Sequence, residues 1–348
     1  MWTTVPALAI ALALFCSPAL AGGVHPGAHS AQPKYWTRSG HWVTNFSPLD
    51  FGGPILGLTP GTSGGVWFGV GNTLQHIDAS NRMTMYRMPD PLWLVESVTR
   101  GPNNSIWFSA GQSGRLGILD ARGTLRFETL VARRNFPDIH GLAVSRSGEV
   151  WFVDTGRLSF GHRSLAGIVA EYPAPKDQYP QSVVRCNDLT WAAAGGILGT
   201  LSADAQVHRF ALPIREDGQI SGMACSGGVL WFTFTPGYYA DKKHETPPPF
   251  LGFITPDRRL HFIPTAAVNA GKVVEDAAGG VWVETSRLAQ FAQADLLHVQ
   301  SDGIARTVHL PPGIYLGSMA ADEDGTLWLG VDNNNAPAAV TRLTAAKP

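Results

Sequence analysis

The sequence predicts an all-β chain folded as a single seven-bladed β-propeller, and three observations carry that expectation. Tryptophan recurs at Trp67, Trp107, Trp151, Trp191, Trp231, Trp282 and Trp328, at steps of 40, 44, 40, 40, 51 and 46 residues. A repeat of about 40–50 residues made of short strands is the mark of a propeller. Each Trp also sits in one local pattern, a Gly or polar turn with apolar residues on both sides of the ring. Gly64-Gly65-Val66-Trp67-Phe68 and Gly148-Glu149-Val150-Trp151-Phe152 are clear copies. The composition agrees: 39 Gly and 25 Pro punctuate a chain that is 44% hydrophobic and 15% charged, which suits turn-rich β structure rather than disorder.

Residues 1–21 read as a signal peptide. Ala7 to Phe15 is almost wholly apolar, and Ala19-Leu20-Ala21 offers a small-x-small cleavage site. The run is too short to span a bilayer as a mature helix, although the segment before it lacks Lys and Arg. Cys16 does not make a lipoprotein signal, because Phe15 precedes it where a small residue is needed. A linker over 22–39 leads to Gly40-His41-Trp42-Val43-Thr44-Asn45-Phe46-Ser47-Pro48, which has the Gly-to-Pro form of an outer strand.

Four short strands then recur in each repeat. In the third, Gly141-Leu142-Ala143-Val144 is the inner strand, Val150-Trp151-Phe152-Val153 the second, Gly167-Ile168-Val169 follows, and Ala170-Glu171-Tyr172-Pro173 is the outer one. Turns every eight to twelve residues favour strands over helices. Proline closes several outer strands, at Pro89, Pro173, Pro213, Pro264 and Pro311, where a missing N–H does no harm. The last repeat has room after Trp328 only for Ala339-Val340-Thr341-Arg342-Leu343. The N-terminal segment supplies the missing outer strand, so the expected domain is 40–343, its ring closed by both ends and followed by a tail over 344–348. Such a ring leaves no long open edge.

The recurring Trp is read as packing between blades rather than as a cofactor box. Cys186 and Cys225 lie just before Trp191 and Trp231, at equivalent positions of neighbouring repeats. They either pair or remain two separate buried thiols, depending on whether their Cα atoms fall within about 7 Å. Asp322-Glu323-Asp324-Gly325 resembles a calcium loop faintly but lacks the later ligands, which favours a solvated turn. With 26 basic and 27 acidic residues and no basic run, the chain carries no nucleic-acid footprint. Beyond the leader no apolar run approaches the ~20 residues of a membrane span, and no hydrolase or dinucleotide motif is present.

Two positions per repeat are expected to face the mouth of the central channel, eleven residues before the Trp and three after it. The first gives Leu56, Glu96, His140, Gly271 and Gly317; the second gives Val70, Ala110, Asp154, Ala194, Phe234, Thr285 and Val331. Glu96, His140 and Asp154 stand out. An imidazole beside two carboxylates can bind a divalent cation, with His140 and Asp154 as ligands, or act as an acid–base set with all three. The plain alternative is a hydrogen-bonded cluster that closes the mouth. The insertion 235–249 lies on the same face and carries Tyr238, Tyr239, Lys242 and His244; Asp332 and Asn333 add oxygen-rich groups there. Long loops on a rigid ring are common binding elements.

The Gly-x-Val/Ile/Leu-Trp-Phe core, with His140-Gly141-Leu142-Ala143 opening an inner strand, resembles the streptogramin B lyase (virginiamycin B lyase) family over residues 40 to 343. That resemblance implies Mg²⁺ and a His/Glu pair that linearise a cyclic depsipeptide by β-elimination at its ester. The family's His-Gly, followed fourteen residues on by an acid, is matched once, by His140 and Asp154, with Asp in place of Glu and Val153 in place of Thr. Gly271 and Gly317 stand where later blades would carry His, and Glu284 comes two residues after Trp282 instead of three. The expectation is therefore an exported propeller, periplasmic or extracellular and monomeric, with degenerate catalytic positions. It binds a small molecule or a protein on one face. The alternative is a Mg²⁺-dependent carbon–oxygen lyase opening a cyclic ester.

Overall fold

The computed structural model describes residues 35–36, 41–46, 54–61, 64–132, 137–202, 207–212, 218–236, 249–265, 269–286, 294–310, 315–333 and 336–345. They form seven antiparallel sheets, six of four strands and one of five. Blade 1 runs outward through Ile55–Pro60, Val66–Val70, Thr73–Ile77 and Met83–Arg87. The inner strands of blades 2 to 7 are Ser97–Arg100, Ile139–Val144, Pro180–Cys186, Gln219–Ser226, Asn269–Glu275 and Tyr315–Ala321. Each packs on the next, and that of blade 7 packs on that of blade 1, so the ring is closed. Among the described residues the one helical element is a 3₁₀ turn, Pro102–Asn104. No helix among them is long and apolar enough to cross a membrane.

Blade 7 is assembled from both ends of the described chain. His41–Phe46 pairs antiparallel with Ala336–Ala345, from His41 opposite Ala345 to Phe46 opposite Val340. Tyr35–Trp36 adds a fifth strand outside it.

The recurring tryptophans fill the seams between blades. Trp151 packs with Val183 and Ala192 of blade 4, Trp231 with Val273 and Val283 of blade 6, and Trp328 with Ile55 and Phe68 of blade 1. Six of the seven are buried and Trp67 is half-buried. Burying one such side chain stabilises the ring by about 2–3 kcal/mol. The Phe that follows the Trp has its own partner. Phe108, Phe152 and Phe232 lie opposite Gly117, Gly161 and Gly252, where an added Cβ would sit 2.0–2.3 Å from the ring. Those glycines exist because the phenylalanines occupy their side-chain space. The third strand also stacks on the Trp: His76 on Trp67 at 4.2 Å, His162 on Trp151 at 4.1 Å and His298 on Trp282 at 4.0 Å. Burial drives the His76 imidazole down to about 4.

Cys186 and Cys225 are joined as a disulfide with their Cα atoms 5.3 Å apart, linking the ends of the inner strands of blades 4 and 5. Asp322 caps its own blade: it accepts from the Thr326 amide at 3.1 Å and from Trp328 Nε1 at 3.0 Å. The turn that resembled a calcium loop thus seats a tryptophan.

All inner strands start on one face, here called upper, and end on the lower face. In six blades the inner strand bulges near its upper end, at Gly57, Gly141, Gln181, Ser221, Gly271–Lys272 and Gly317. A bulge re-aims the side chains around it, and it is at this level that polar groups gather.

Candidate functional site

At the upper mouth, blades 2 and 3 bring together Glu96, Asp138 and His140. One ligand atom from each lies within 4.8 Å of the others. His140 opens the inner strand Ile139–Val144 opposite Val153, just before the bulge at Gly141. Asp138 stands two residues earlier, the spacing that puts two side chains on one side of an extended chain. Glu96 comes from the next blade, immediately before Ser97–Arg100, with its amide bonded to the Ser109 carbonyl at 3.3 Å.

Gly111 makes room for this meeting. It sits at φ +32°, and a Cβ there would stand 2.5 Å from the Glu96 carboxyl carbon. The same glycine bridges to Ile139, the residue before His140. The turn of blade 2 is thereby tied to blade 3 with the Glu96 carboxyl between them.

The imidazole lies between two carboxylates, with Nδ1 3.3 Å from Glu96 Oε2 and Nε2 3.1 Å from Asp138 Oδ2. The Glu96 side chain is only 7% exposed, whereas His140 is 43% exposed and reaches solvent. Among the described residues Glu96 Oε2 has no hydrogen-bond partner, only the ion-pair distance to His140. Burial pushes the Glu96 carboxyl up to about 7, with His140 pulling it back and Asp138 adding to the rise.

Asp154 stands one layer below. Its Oδ1 accepts from the amides of Asp138 at 3.0 Å and Arg157 at 3.2 Å, and it is fully buried. Thr155 completes the hold, donating its hydroxyl to Asp138 Oδ2 at 2.9 Å. The acid that meets the imidazole with Glu96 is therefore Asp138, and Asp154 fixes Asp138 in place. The reason is strand alternation: Asp154 pairs with Ile139 while His140 pairs with Val153, so the two side chains leave on opposite faces. Burial raises the Asp154 carboxyl, and the two amides it accepts from oppose that rise.

Blade 6 carries a second polar group at the same level. Glu284 stands opposite the two-residue bulge at Gly271–Lys272 and accepts from the Lys272 amide at 3.2 Å. Lys272 Nζ donates to the Leu316 carbonyl at 3.0 Å and lies 3.6 Å from Glu284 Oε2. A Cβ on Gly271 would stand 2.4 Å from that oxygen, so the Gly found where a His was expected is what lets Glu284 reach the inner strand.

Of the remaining expected positions, Val70, Ala110, Ala194, Phe234, Thr285 and Val331 are buried and contribute packing. Tyr238, Tyr239, Lys242 and His244 lie outside the described residues. Asp332 and Asn333 end the strand Leu327–Asn333 on the upper face.

Comparison with known proteins places this geometry in context. A model of the virginiamycin B lyase family matches residues 36–240. No curated protein matches the chain. Among solved structures the chain is similar to a streptogramin B lyase at 18% identity and a TM-score of 0.70, covering 87% of this chain and 97% of that one. A catalytically inactive virginiamycin B lyase of Staphylococcus aureus, determined with quinupristin, aligns at 17% identity and a TM-score of 0.71, covering 87% and 99%. A WD40 domain of Neurospora crassa aligns at 11% identity and a TM-score of 0.64, covering 90% and 98%. At such identities the structural likeness is one of fold.

Proposed function

The chain belongs to the virginiamycin B lyase family, and from that premise we propose that it is an exported propeller that binds a small ligand on its upper face through Glu96, Asp138 and His140. The observation that carries this reading is the imidazole held between two carboxylates from two blades, half-exposed at the channel mouth. The apolar leader 1–21 and the Cys186–Cys225 disulfide support export, since such bonds persist in oxidising compartments.

The donor set suits the divalent cation that the family implies. Two carboxylate oxygens and one imidazole nitrogen are within reach of one ion, and among the described residues the buried Glu96 Oε2 lacks a hydrogen-bond donor. Glu96, Asp138 and His140 would hold it, and it would supply Lewis acidity toward a carbonyl oxygen. Lys272 and Glu284 offer a further charged pair to the same ligand.

One observation favours a second reading, a carbon–oxygen lyase acting on a cyclic ester. Glu96 titrates near 7 directly against an imidazole, and groups poised near the working pH are efficient in proton transfer. In that reading His140, oriented by Asp138, takes the proton α to the ester-linked carbon. The electron pair forms a C=C bond as the carboxylate leaves the β-carbon.

Titration of the full chain with Mg²⁺ and Mn²⁺, followed by incubation with a depsipeptide lactone, separates the readings. Saturable cation binding lost in His140→Ala, with no lactone opened, supports the binding reading. Cation-dependent opening lost in the same variant supports the lyase. Absence of both, in wild-type chain, removes the proposed site.

A further inference from the structure

The turn between the second and third strands of blade 3, Thr155 to Leu158, carries a cost that its packing does not offset. Leu158 sits at φ +52°, the one apolar side chain among the described non-glycine residues in the left-handed region. It takes the place that Gly114 fills in blade 2 at φ +68°. The Leu158 carbonyl accepts from the Ala174 amide at 2.8 Å, just as the Gly114 carbonyl accepts from the Leu130 amide at 2.9 Å. A leucine at such a position strains the backbone. Burial does not compensate, because the side chain is 47% exposed and belongs to neither apolar cluster that flanks blade 3.

That leucine borders the upper site. Its amide donates to the Thr155 carbonyl at 3.4 Å, and the Thr155 amide donates to the Asp138 carbonyl at 2.9 Å, so one turn both carries Leu158 and holds Asp138. Leu92 and Leu94 stand four and two residues before Glu96, in the upper connection that leads to the inner strand of blade 2. Tyr179 ends the upper connection from blade 3 to the inner strand of blade 4. All three are exposed, Leu92 by 62%. With Leu158 they make up four of the eight large apolar side chains exposed among the described residues, and they flank the two blades that supply Glu96, Asp138 and His140. Single exposed leucines are ordinary on a protein surface; a strained one, grouped with others beside a polar site, is not.

We propose that Leu92, Leu94, Leu158 and Tyr179 form an apolar rim that seats the aliphatic chain of a carboxylate, its head held at Glu96, Asp138 and His140. The inference rests on the binding reading of that site and names the class of its ligand. A divalent ion held by three protein atoms keeps positions for further oxygens, and a carboxylate head fills them while offsetting the ion's charge. The body of the ligand is set by the rim. A polyol would press hydroxyls against four apolar side chains and give Leu158 no role. Each methylene laid on the rim instead leaves water together with the leucine it covers. That gain is what a leucine kept in a strained, exposed turn can supply and a glycine there cannot.

Calorimetric titration of the full chain with acetate, butanoate and octanoate in saturating Mg²⁺ tests this. Octanoate is expected to bind about tenfold more tightly than butanoate, or better, its extra methylenes being partly removed from water on an open rim. In Leu158→Gly, and separately in the double variant Leu92→Ser with Leu94→Ser, that preference falls below about threefold. Leu158→Gly also unfolds at an equal or higher guanidinium concentration than wild type, since glycine adopts the left-handed region freely. The inference is overturned if both variants keep the preference, or if Leu158→Gly unfolds at a clearly lower concentration, which would make Leu158 a packing residue. It is equally overturned if sedimentation shows a dimer that Leu158→Gly dissolves, since a second copy would then cover the rim. Wild-type chain that binds Mg²⁺ but prefers no chain length overturns this inference and leaves the cation site standing. A preference that persists without Mg²⁺ supports the rim and removes the cation; binding of neither Mg²⁺ nor any carboxylate removes both.

Discussion

Replacing Glu96 by Gln is the most informative single perturbation, because it separates what the site does for function from what it does to stability. A carboxyl moved from 4.5 to about 7 is held by the folded chain about 3 kcal/mol more tightly in its protonated form than by the unfolded chain. Below pH 4.5 both states carry that proton and the group is neutral toward folding. As the pH rises the unfolded chain releases the proton first, so stability falls, and the fall is complete once the folded carboxyl ionises near 7. Gln keeps the shape and stays neutral throughout. Glu96→Gln is therefore more stable than wild type, by less than about 1 kcal/mol at pH 5 and by about 3 kcal/mol at pH 8. At about 2 °C per kcal/mol for a chain of this size, the melting temperatures differ by roughly 6 °C at pH 8.

The assay is guanidinium denaturation of both proteins at pH 5 and pH 8 with chelator present, followed by tryptophan fluorescence. Saturating Mg²⁺ at pH 8 then narrows the gap, because a cation bound to the ionised carboxylate stabilises only the wild type. Parallel stability curves from pH 5 to pH 8, or a variant that is weaker at pH 8, would refute the reasoning. Either result would mean that the Glu96 carboxylate is compensated by groups other than His140.

Three other changes follow from the same contacts. Asp154→Ala removes the acceptor of the Asp138 and Arg157 amides without touching the ligand atoms, so cation affinity falls about tenfold while His140 remains in place; equal affinity in titration would show that Asp138 holds itself. Replacing Cys186 and Cys225 together by Ser opens a loop spanning 39 residues and lowers stability by about 4 kcal/mol on the chain-entropy account, read as a matching drop in denaturation midpoint; an unchanged midpoint would show that the bridge does not constrain the unfolded chain. Gly161→Ala places a methyl 2.0 Å from the Phe152 ring and costs about 1–3 kcal/mol. Adding Phe152→Leu recovers part of that loss, and strict additivity of the two changes would contradict the contact.

What could be read from the sequence, and what could not, divides along a physical line. The seven tryptophans were legible because one packing problem, filling the seam to the next blade, is solved seven times with the same residue. Trp151 against Val183 and Trp231 against Val273 are the same solution. Counting from Trp also found Glu96 and His140, since both stand at a recurring position on the inner edge. It gave Asp154 as the partner acid because it assumed that the strands stay in register up to the mouth. They do not: the chain bulges at Gly141 and again at Gly271–Lys272. The first bulge follows His140, whose neighbouring acid is Asp138 rather than Asp154. The second carries Glu284, one position off by counting, to the Lys272 amide. Asp138 did leave a trace in the sequence, its place two residues before His140 on an extended strand.

The site is therefore legible where the repeat holds and hidden where it breaks, and Gly111 shows why. By its place in the repeat it is an ordinary turn glycine, one of 39 in the chain. In the structure it is the residue whose missing side chain leaves the space that the Glu96 carboxyl occupies, 2.5 Å from where a Cβ would lie. It also ties blade 2 to the strand that carries His140. A propeller that used its upper face only for packing would have no reason to bury an acid there at a cost of about 3 kcal/mol near neutral pH. The proposed binding site would account for a destabilising carboxylate at the mouth, together with the glycine that accommodates it and the buried Asp154 that fixes its neighbour, where packing alone would not.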